Sequence, residues 1–367
     1  MKYLLLVVVA VHGLIHLMGF AKAFGLAAFE QLRVPISQPL GLLWLAAALL
    51  FLLSAALLLA APDWWWAPAL GAVLISQLVI LTSWSDAKFG TLANLIILVP
   101  ALVAGLAHAP WGYRAQYARD VAAGLATPAA QTTPVTGADL THLPPIVQQY
   151  LRFTGAVGQP RVANYRLRFH GALRNGPDSA WMPMVADQQS FVAPAERLFL
   201  VDARMFGVPM TAYHRYVGPN ATFEVNVASL VKVVDARGPE MDRSETVTLF
   251  NDMVLLAPAT LIDPAITWEE LDPLTVRATF TNAGHTITAV LTFAENGALT
   301  NFISDDRSRM LDGKTYERVR WSTPVSGWRT VNGHRLPDAE ARWHLPTGEF
   351  AYARFEVVDV AYNVVGR

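Results

Sequence analysis

The stretch PEMDRSETVTLFNDMVLLAP, residues 239–258, interrupts a region of alternating polar and apolar residues with a different periodicity. Asp242 and Glu245 have the spacing of a capping box, in which two side chains cap the first turn of a helix. Pro258 ends the segment, because proline cannot continue a helix. Between these points, apolar residues recur at the spacing of one helix face: Val247, Phe250, Met253, Val254 and Leu256. The segment therefore predicts one helix inside a region whose other elements are strands.

Period-two alternation on both sides of this helix predicts β-strands. It is clearest in NYRLRFHGAL (164–173), ATFEVNVA (221–228), VRATFTN (276–282), HTITAVLTF (285–293) and AEARWHL (339–345). Alternation of this kind is typical of antiparallel strands with one buried face. A second short helix is predicted in LPPIVQQYLRF (143–153), where proline begins an apolar stripe. We expect a mainly antiparallel β domain of about ten strands, a curved sheet or half-barrel with one or two helices.

Charged residues divide the chain near residue 113. Only seven charged side chains fall within residues 1–113, although the whole chain has 28 basic and 29 acidic residues. The composition is 53% hydrophobic and 16% charged, which is too apolar for an ordinary soluble protein. Residues 120–138 are rich in Ala, Thr, Gly and Pro without hydrophobic periodicity, as is typical of a linker. We predict a membrane domain at 1–113, a linker at 114–138 and a soluble β-rich domain at 139–367.

Four segments of the first domain are long enough to cross a bilayer, whose hydrocarbon core needs about 20 apolar residues. They are residues 3–24, 40–61, 67–84 and 91–112. Aromatic residues at their ends, such as Trp64-Trp65-Trp66, are typical of the membrane interface. The sequence thus predicts a four-helix transmembrane bundle in a multi-pass protein of the cell membrane. Lys2 with Ala21-Lys22-Ala23 also matches a cleaved signal peptide, but three further spans favour a retained helix.

Two histidines lie in the middle of the first apolar segment, in VHGLIHLMGF (11–20). His12 and His16 are four residues apart, so they project from one helix face. An ionisable group at this depth is costly and is expected to face the bundle interior. Either these two residues and His108 hold a metal or haem or relay protons, or they form a hydrogen-bond cluster between helices. We favour the cluster, because metal sites normally use three or more ligands. The sequence identifies no cofactor.

No common catalytic motif occurs in the soluble half, such as a phosphate loop, a nucleophile elbow or a zinc-protease helix. Its most notable local feature is a group of eight arginines within residues 307–354, with acidic residues interleaved. One interpretation is a ladder of ion pairs on the exposed sheet face. The other is a patch that binds a lipid headgroup or a carboxylate. In that second case, the candidate ligand-binding residues are Phe250, Met253, Val254, Arg318, Arg320 and Arg342.

Three stretches carry a further signal: LPPIVQQYLRFTGAVGQPRV (143–162), VVDARGPEMDRSETVTLFNDMV (233–254) and RWSTPVSGWRTVNGHRLPDAEARWHLPTGEFAYARFEV (320–357). They resemble a family of uncharacterised bacterial membrane proteins that have four N-terminal transmembrane helices and a C-terminal domain of unknown function. HGLIHLMGF (12–20) and WSDAKFGTLAN (84–94) resemble recurrent features of four-helix bacterial membrane proteins. In topology alone, the soluble half also resembles LolA-like lipoprotein-carrier half-barrels, which bind acyl chains. The family implies no established reaction, and no catalytic residue is transferred from it.

Three functions are compatible with these features. The first is a multi-pass membrane protein whose β-rich domain binds a lipid or other apolar ligand between its sheet and its helix. The second is a membrane enzyme or cofactor-binding protein that uses the histidines of the bundle. The third is a structural or partner-binding module without a small ligand. We favour the first, with the bilayer and a lipid as partners and an extracytoplasmic β domain. We expect no nucleic-acid partner, since the net charge is only −1.

Overall fold

The computed structural model describes residues 2–126, 133–312 and 315–366. The chain divides into two compact units, Met1–Gly112 and Tyr113–Arg367. Each unit has its own hydrophobic core. Residues 127–132 of the predicted linker lie outside the described residues.

The described part of the first unit consists of helices. α1 spans Lys2–Ala23, α2 Gln38–Ala60, α3 Trp66–Thr82, α4 Trp84–Ala87 and α5 Gly90–Ala107. By length and composition, α1, α2 and α5 are able to cross a membrane. α3 is apolar but has only 17 residues, because the chain leaves helical geometry at Ser83 (φ −124°, ψ 35°) before α4 begins. The described part of this unit thus contains three candidate membrane-crossing helices, and the third predicted segment, residues 67–84, forms a helix shorter than expected.

Glycines let the first two helices approach closely. A Cβ atom on Gly19 would lie 2.2 Å from Cδ2 of Trp44, and one on Gly13 would lie 2.9 Å from Cβ of Phe51. The backbone of α1 therefore lies directly against side chains of α2 at these two positions. Small residues at such crossings are typical of helices that associate in an apolar environment.

The second unit contains a curled antiparallel sheet that forms a half-barrel. Its strands in chain order are β1 Asn164–Leu173, β2 Met182–Val192, β3 Ala195–Met205, β4 Val208–Val217, β5 Asn220–Val227, β6 Val231–Arg237, β7 Ile266–Asp272, β8 Thr275–Asn282, β9 His285–Phe293, β10 Leu299–Ser304, β11 Ser308–Met310, β12 Tyr316–Arg318, β13 Trp321–Ser322, β14 Val325–Val331, β15 His334–Leu345 and β16 Gly348–Tyr362. The main sheet has 14 strands in the order β6-β5-β4-β3-β2-β1-β16-β15-β13-β10-β9-β8-β7, with β14 paired to β15 and β11–β12 as a separate hairpin. The predicted antiparallel half-barrel is confirmed, with more strands than expected.

The helix at the centre of this unit, α8, spans Pro239–Leu256 and packs on strands from both halves of the sheet. It begins one turn before the predicted capping box, because Gly238 (φ 104°) turns the chain and Pro239 suits a first helical position. The capping-box prediction is therefore wrong. Asp242 instead accepts a hydrogen bond of 2.6 Å from the N–H of Ala221, a contact with β5.

Two tyrosines hold the last turn of α8. Tyr150 belongs to α7, Pro145–Phe153, the short helix predicted at this place, and its hydroxyl donates to the carbonyl of Val254 at 2.7 Å. The Tyr362 hydroxyl donates to the carbonyl of Leu256 at 2.5 Å. These bonds satisfy carbonyls that the end of a helix leaves without partners. Short 3-10 turns occupy Ala138–Leu140 and Pro258–Ile262.

A further helix, α6, spans Tyr113–Ala126, where we predicted that a linker begins at residue 114. Its apolar residues are four positions apart and pack on the sheet: Tyr113, Tyr117, Val121 and Leu125 against Phe191, Leu198, Leu200 and Tyr213. The structure differs from the linker prediction because this stripe is sparse and lies among alanines. Since α6 and α8 contact β3 from opposite sides, all residues of Arg197–Val201 are buried and alternation is lost there.

Candidate functional site

A cavity of about 590 Å³ lies between α8 and the strands of the half-barrel. This volume is within the range of small-molecule sites, about 300–1,000 Å³. Much of its wall is apolar, including Phe169, Phe199, Val201, Trp321, Trp343 and Phe355. Ala212, Ala339 and Ala353 also line it, and their small side chains leave the space open.

Helix α8 gives this cavity a polar wall. Ser244, Glu245, Thr248, Asn251 and Asp252 recur at helical spacing, and all five line the cavity. All five are also buried, although charged and amide side chains are rarely buried without partners. α8 therefore has two buried faces, one that packs into the apolar core and one that presents polar groups to the cavity.

Arg197 of β3 is the centre of a buried ion cluster on this wall. Its side chain is 5% exposed, its Nε lies 2.7 Å from Oδ2 of Asp252, and its Nη1 lies 3.3 Å from Oε2 of Glu245. Gln188 donates another hydrogen bond to Asp252, at 2.8 Å. Burial disfavours the Arg197 cation, but the Asp252 and Glu245 carboxylates outweigh burial and raise the pKa of Arg197. A single guanidinium thus pairs with two carboxylates.

His214 of β4 contacts the other oxygen of Glu245. Nε2 of His214 and Oε1 of Glu245 lie 3.0 Å apart, but their geometry is not that of a hydrogen bond. Both atoms are buried, and neither has a hydrogen-bond partner among the described residues. Burial lowers the pKa of His214 to about 4, although Glu245 opposes the shift. His214 is therefore neutral at physiological pH.

The carboxyl of Glu245 stays ionised in this setting. Burial disfavours its charged form, but protonated His214, Arg197 and Arg307 outweigh burial and lower the pKa of Glu245. Because His214 is neutral near pH 7, Arg197, Arg307 and a hydrogen bond with Thr248 are what oppose the effect of burial on Glu245 there.

Three further arginines line the cavity and form no ion pair with any described residue: Arg174, Arg307 and Arg309. Arg307 is held most firmly. Its Nη1 donates to Oγ1 of Thr248 at 2.7 Å, and its guanidinium carbon lies 4.4 Å from the ring centroid of Trp321 and 5.7 Å from that of Trp343. Its Nε is buried without a hydrogen-bond partner. A guanidinium fixed in this way is suited to bind a carboxylate or phosphate through its free N–H groups.

The apolar residues that we predicted to bind a ligand lie elsewhere. Phe250, Met253 and Val254 are in the hydrophobic core and do not line the cavity. The Phe250 ring stacks on that of Phe280, with centroids 5.1 Å apart. The role of these residues in binding stays a prediction. The signal that sequence analysis missed is the polar stripe on the opposite face of α8, because a polar helix face is most often exposed to solvent.

The three predicted arginines are likewise outside the cavity lining. Arg318 pairs with Asp306, and Arg320 pairs with Asp305 at 2.8 Å. Arg342 lies 3.3 Å from Glu349. These contacts correspond to the surface ion pairs that we considered as the other interpretation of the arginine-rich strands. Binding of a headgroup by these three residues stays a prediction.

In the first unit, His12 and His16 come together in a hydrogen-bond cluster between helices. Nδ1 of His16 donates to the carbonyl of His12 at 2.8 Å, and its Nε2 lies 2.9 Å from the hydroxyl of Ser76, which itself donates to Oδ1 of Asn94 at 3.0 Å. Nε2 of His12 lies 2.9 Å from Oδ1 of Asn94, which can accept from it. The amide of Asn94 then donates to Gln77 at 3.0 Å. Each histidine ring thus lies within hydrogen-bond distance of a polar side chain of another helix.

His108 is exposed, and its Nδ1 lies 2.8 Å from the carbonyl of Ala104 in the same helical turn. The structure does not join it to the other two histidines by any hydrogen bond among the described residues. Within residues 2–126, 133–312 and 315–366, no group of three His, Asp or Glu side chains is arranged to hold a metal. A metal or haem role for the histidines stays a prediction.

A family model matches residues 133–355, and it describes a family of unknown function, DUF6544. This match confirms the family resemblance predicted from the sequence. A DUF1329 family protein from Desulfovibrio piger aligns with 12% identity and a TM-score of 0.35, over 63% of this chain and 95% of that chain. A domain from Vibrio parahaemolyticus, named for outer membrane lipoprotein sorting, aligns with 10% identity and a TM-score of 0.25, over 55% of this chain and 86% of that chain. No curated protein matches the chain.

Proposed function

The chain belongs to DUF6544, a family of unknown function, and we propose that it is a membrane-anchored protein whose β domain binds an amphipathic ligand beside α8. The observation that carries this proposal is a cavity that combines apolar walls with Arg307, a guanidinium that forms no ion pair with a described residue. Both Arg197 and Arg307 act on the Glu245 carboxylate, but only Arg197 is in ion-pair contact with it. The free N–H groups of Arg307 are therefore available to an anionic group on a bound ligand.

The ligand that fits these walls has an apolar body and an anionic head. Phe199, Val201 and Phe355 would contact the body. The free N–H groups of Arg307 would bind a carboxylate or phosphate, and Arg309 lines the same cavity. Glu245 and Asp252 repel this head less than free carboxylates would, because both pair with Arg197 and Glu245 is also under the influence of Arg307. A lipid with an acidic headgroup is a ligand of this class.

Native mass spectrometry of the full chain, purified gently from membranes, tests this proposal. We expect a co-purifying amphiphile. Ala212→Trp should remove it, because the indole would fill the cavity that Ala212 lines. Val185→Trp on strand β2 of the same sheet is the matched control, since Val185 is exposed. Retention of the same adduct by Ala212→Trp would contradict the assignment of the cavity.

Arg307→Gln tests the position of the head. We expect the affinity for a fatty acid to fall about 10- to 100-fold, since a hydrogen bond to a charged group contributes about 1.5–3 kcal/mol. The affinity for the fatty alcohol of equal length should change little. Arg320→Gln, at a surface pair with Asp305, is the control that should leave both affinities unchanged. An equal loss for acid and alcohol would place the head away from Arg307.

The anchor that we propose comprises four spans, α1, α2, α3 and α5, within residues 1–113, with the β domain at 139–367 in water. Although α3 has 17 residues, a helix of that length is about 26 Å long and needs little bilayer thinning. We place the β domain outside the cytoplasm, in agreement with the uncharged stretch before residue 139. Since the chain has no cysteine, Asn220→Cys can be labelled in intact cells with a membrane-impermeant maleimide. Labelling only after lysis would reverse this orientation.

A further inference from the structure

Two neighbouring turns at one end of the sheet expose a cluster of large apolar side chains. The β3–β4 turn is Phe206-Gly207, and the β5–β6 turn is residues 228–230. The turns are adjacent, because Met210 of β4 pairs with Val227 of β5 and the N–H of Ala228 donates to the carbonyl of Pro209 at 2.8 Å. We name the exposed apolar residues of these turns and of the adjoining strand ends the apolar tip: Met205, Phe206, Val208, Leu230, Val231 and Val233.

Phe206 is unfavourable for the stability of the β unit on its own. It is 98% exposed, so its ring gains almost nothing from folding. Its φ is +52°, and that of Gly207 is +83°. A turn with positive φ at both positions normally takes Asn-Gly or Asp-Gly, as Asn332-Gly333 does between β14 and β15. A bulky aromatic residue is strained in this conformation. Neither cost is offset by burial of the Phe206 ring against the described residues.

The start of the second unit indicates what covers the apolar tip. The hydroxyl of Tyr113, the first residue of α6, lies 3.4 Å from Oδ1 of Asn226, two residues before the β5–β6 turn. Arg114 pairs with Asp202 at 2.7 Å, four residues before Phe206. The candidate membrane helix α5 ends at Ala107, only a few residues before Tyr113. The chain therefore enters the β unit at the end that bears the apolar tip.

We propose that the apolar tip inserts into the interfacial region of the bilayer that anchors the protein. Phe, Leu, Met and Val side chains are stable at this depth, and the turns can place them there without breaking the strand ladder. Arg204 is exposed beside Phe206 and forms no ion pair with a described residue, so it can meet anionic headgroups. The inference rests on the proposed membrane anchor, but it is independent of what the cavity binds.

Site-directed spin labelling of the full chain in phosphatidylcholine–phosphatidylglycerol vesicles tests this insertion. Phe206→Cys reports the tip, and Asn220→Cys reports the β4–β5 turn at the other end of β4; the sequence has no other cysteine. We expect the label at 206 to be several-fold less accessible to a water-soluble nickel chelate than the label at 220, and more accessible to oxygen. Equal accessibility of both labels to the chelate would overturn the inference. Protection of 206 from both reagents, with spin coupling between copies, would also overturn it and indicate a second chain as the partner.

Phe206→Asn separates insertion from folding. Asparagine suits this turn, so the stability of the β unit should be retained or rise, while a label at Leu230→Cys should become more accessible to the chelate. An unchanged Leu230 label would mean that Phe206 does not hold the tip in the bilayer. Flotation with the vesicles is measured in the same samples. A chain that floats but leaves 206 in water overturns this inference alone, whereas a chain that does not float overturns the anchor and the inference together.

Discussion

The protein buries two polar clusters, and the difference between them distinguishes a role in packing from a role in ligand binding. The cluster of His12, His16 and Asn94 in the helical unit contains no carboxylate, lysine or arginine, and none of its side-chain atoms is buried without a partner among the described residues. The cluster around Arg197 in the β unit is charged, and buried atoms of Glu245, His214 and Arg307 have no hydrogen bond. A satisfied network makes a core rigid. Unsatisfied buried groups beside a cavity are typical of functional sites.

The largest loss of stability is expected from a substitution that breaks the charged cluster. Arg197→Met would leave Asp252 and Glu245 as buried carboxylates without their cation, which should destabilise the β unit by about 3–5 kcal/mol. Chemical unfolding of the full chain in detergent measures this loss. The matched control is Arg277→Met, which removes a surface pair with Glu269 at 2.6 Å and should cost about 0–1 kcal/mol. Similar losses for the two variants would mean that the Arg197 cluster is as well solvated as a surface pair.

A smaller effect is expected from the neutral cluster. Asn94→Leu removes the acceptor for His12 and should destabilise the helical unit by about 1–3 kcal/mol, the cost of an unsatisfied buried polar group. Adding His12→Leu should recover part of the loss, because both partners are then apolar. Unfolding in mixed micelles with increasing dodecyl sulfate measures both variants, with Leu95→Ala at an exposed position of the same helix as the control. No recovery in the double variant would mean that His12 has a further role.

The smallest expected effect is on the pH dependence of stability, which should come from His214 of the charged cluster. A histidine titrates near 6.5 in an unfolded chain, whereas burial lowers the pKa of His214 to about 4 in the fold. Between these values the unfolded chain binds more protons than the native one, so stability falls as pH decreases from about 6.5 towards about 4. His214→Gln should flatten this slope, and His142→Gln at an exposed position should not. Unfolding midpoints across this pH range give the slopes; a slope that His214→Gln leaves intact would exclude His214 as its source.

Sequence patterns predicted the elements that have one buried face and missed those that have two. Strands such as β8 and β9 alternate clearly, and the apolar stripe through Phe250 correctly indicated α8. The Arg197–Val201 segment of β3 is covered on both sides, so its residues do not alternate in burial. The cavity was missed for a related reason. Glu245, Thr248 and Asp252 form a polar stripe, and only the three-dimensional fold shows that a cavity lies in front of them.

The membrane half illustrates a different limit. Hydropathy located all of its long apolar helices, but it does not detect the break at Ser83 that shortens α3. Likewise, the sparse stripe of Tyr113, Tyr117, Val121 and Leu125 is visible in the sequence only when its binding surface on the sheet is known. Ion-pair partners such as Glu245 for Arg197 are 48 positions apart in sequence, and no local pattern predicts them.

The position of α6 has a practical consequence for producing the β unit as a recombinant fragment. A fragment limited to the family match, residues 133–355, would lack α6. Its sheet would then expose an apolar surface made of Phe191, Leu198, Leu200 and Tyr213. The fragment would also end inside β16, which lies between β1 and β15, and delete the partners of Tyr165–Arg168. Such a fragment should express as aggregate, whereas one that begins at Tyr113 and continues through Gly366 keeps both the outer helix and the complete strand. The soluble product is therefore longer at each end than the stretch by which the family is recognised.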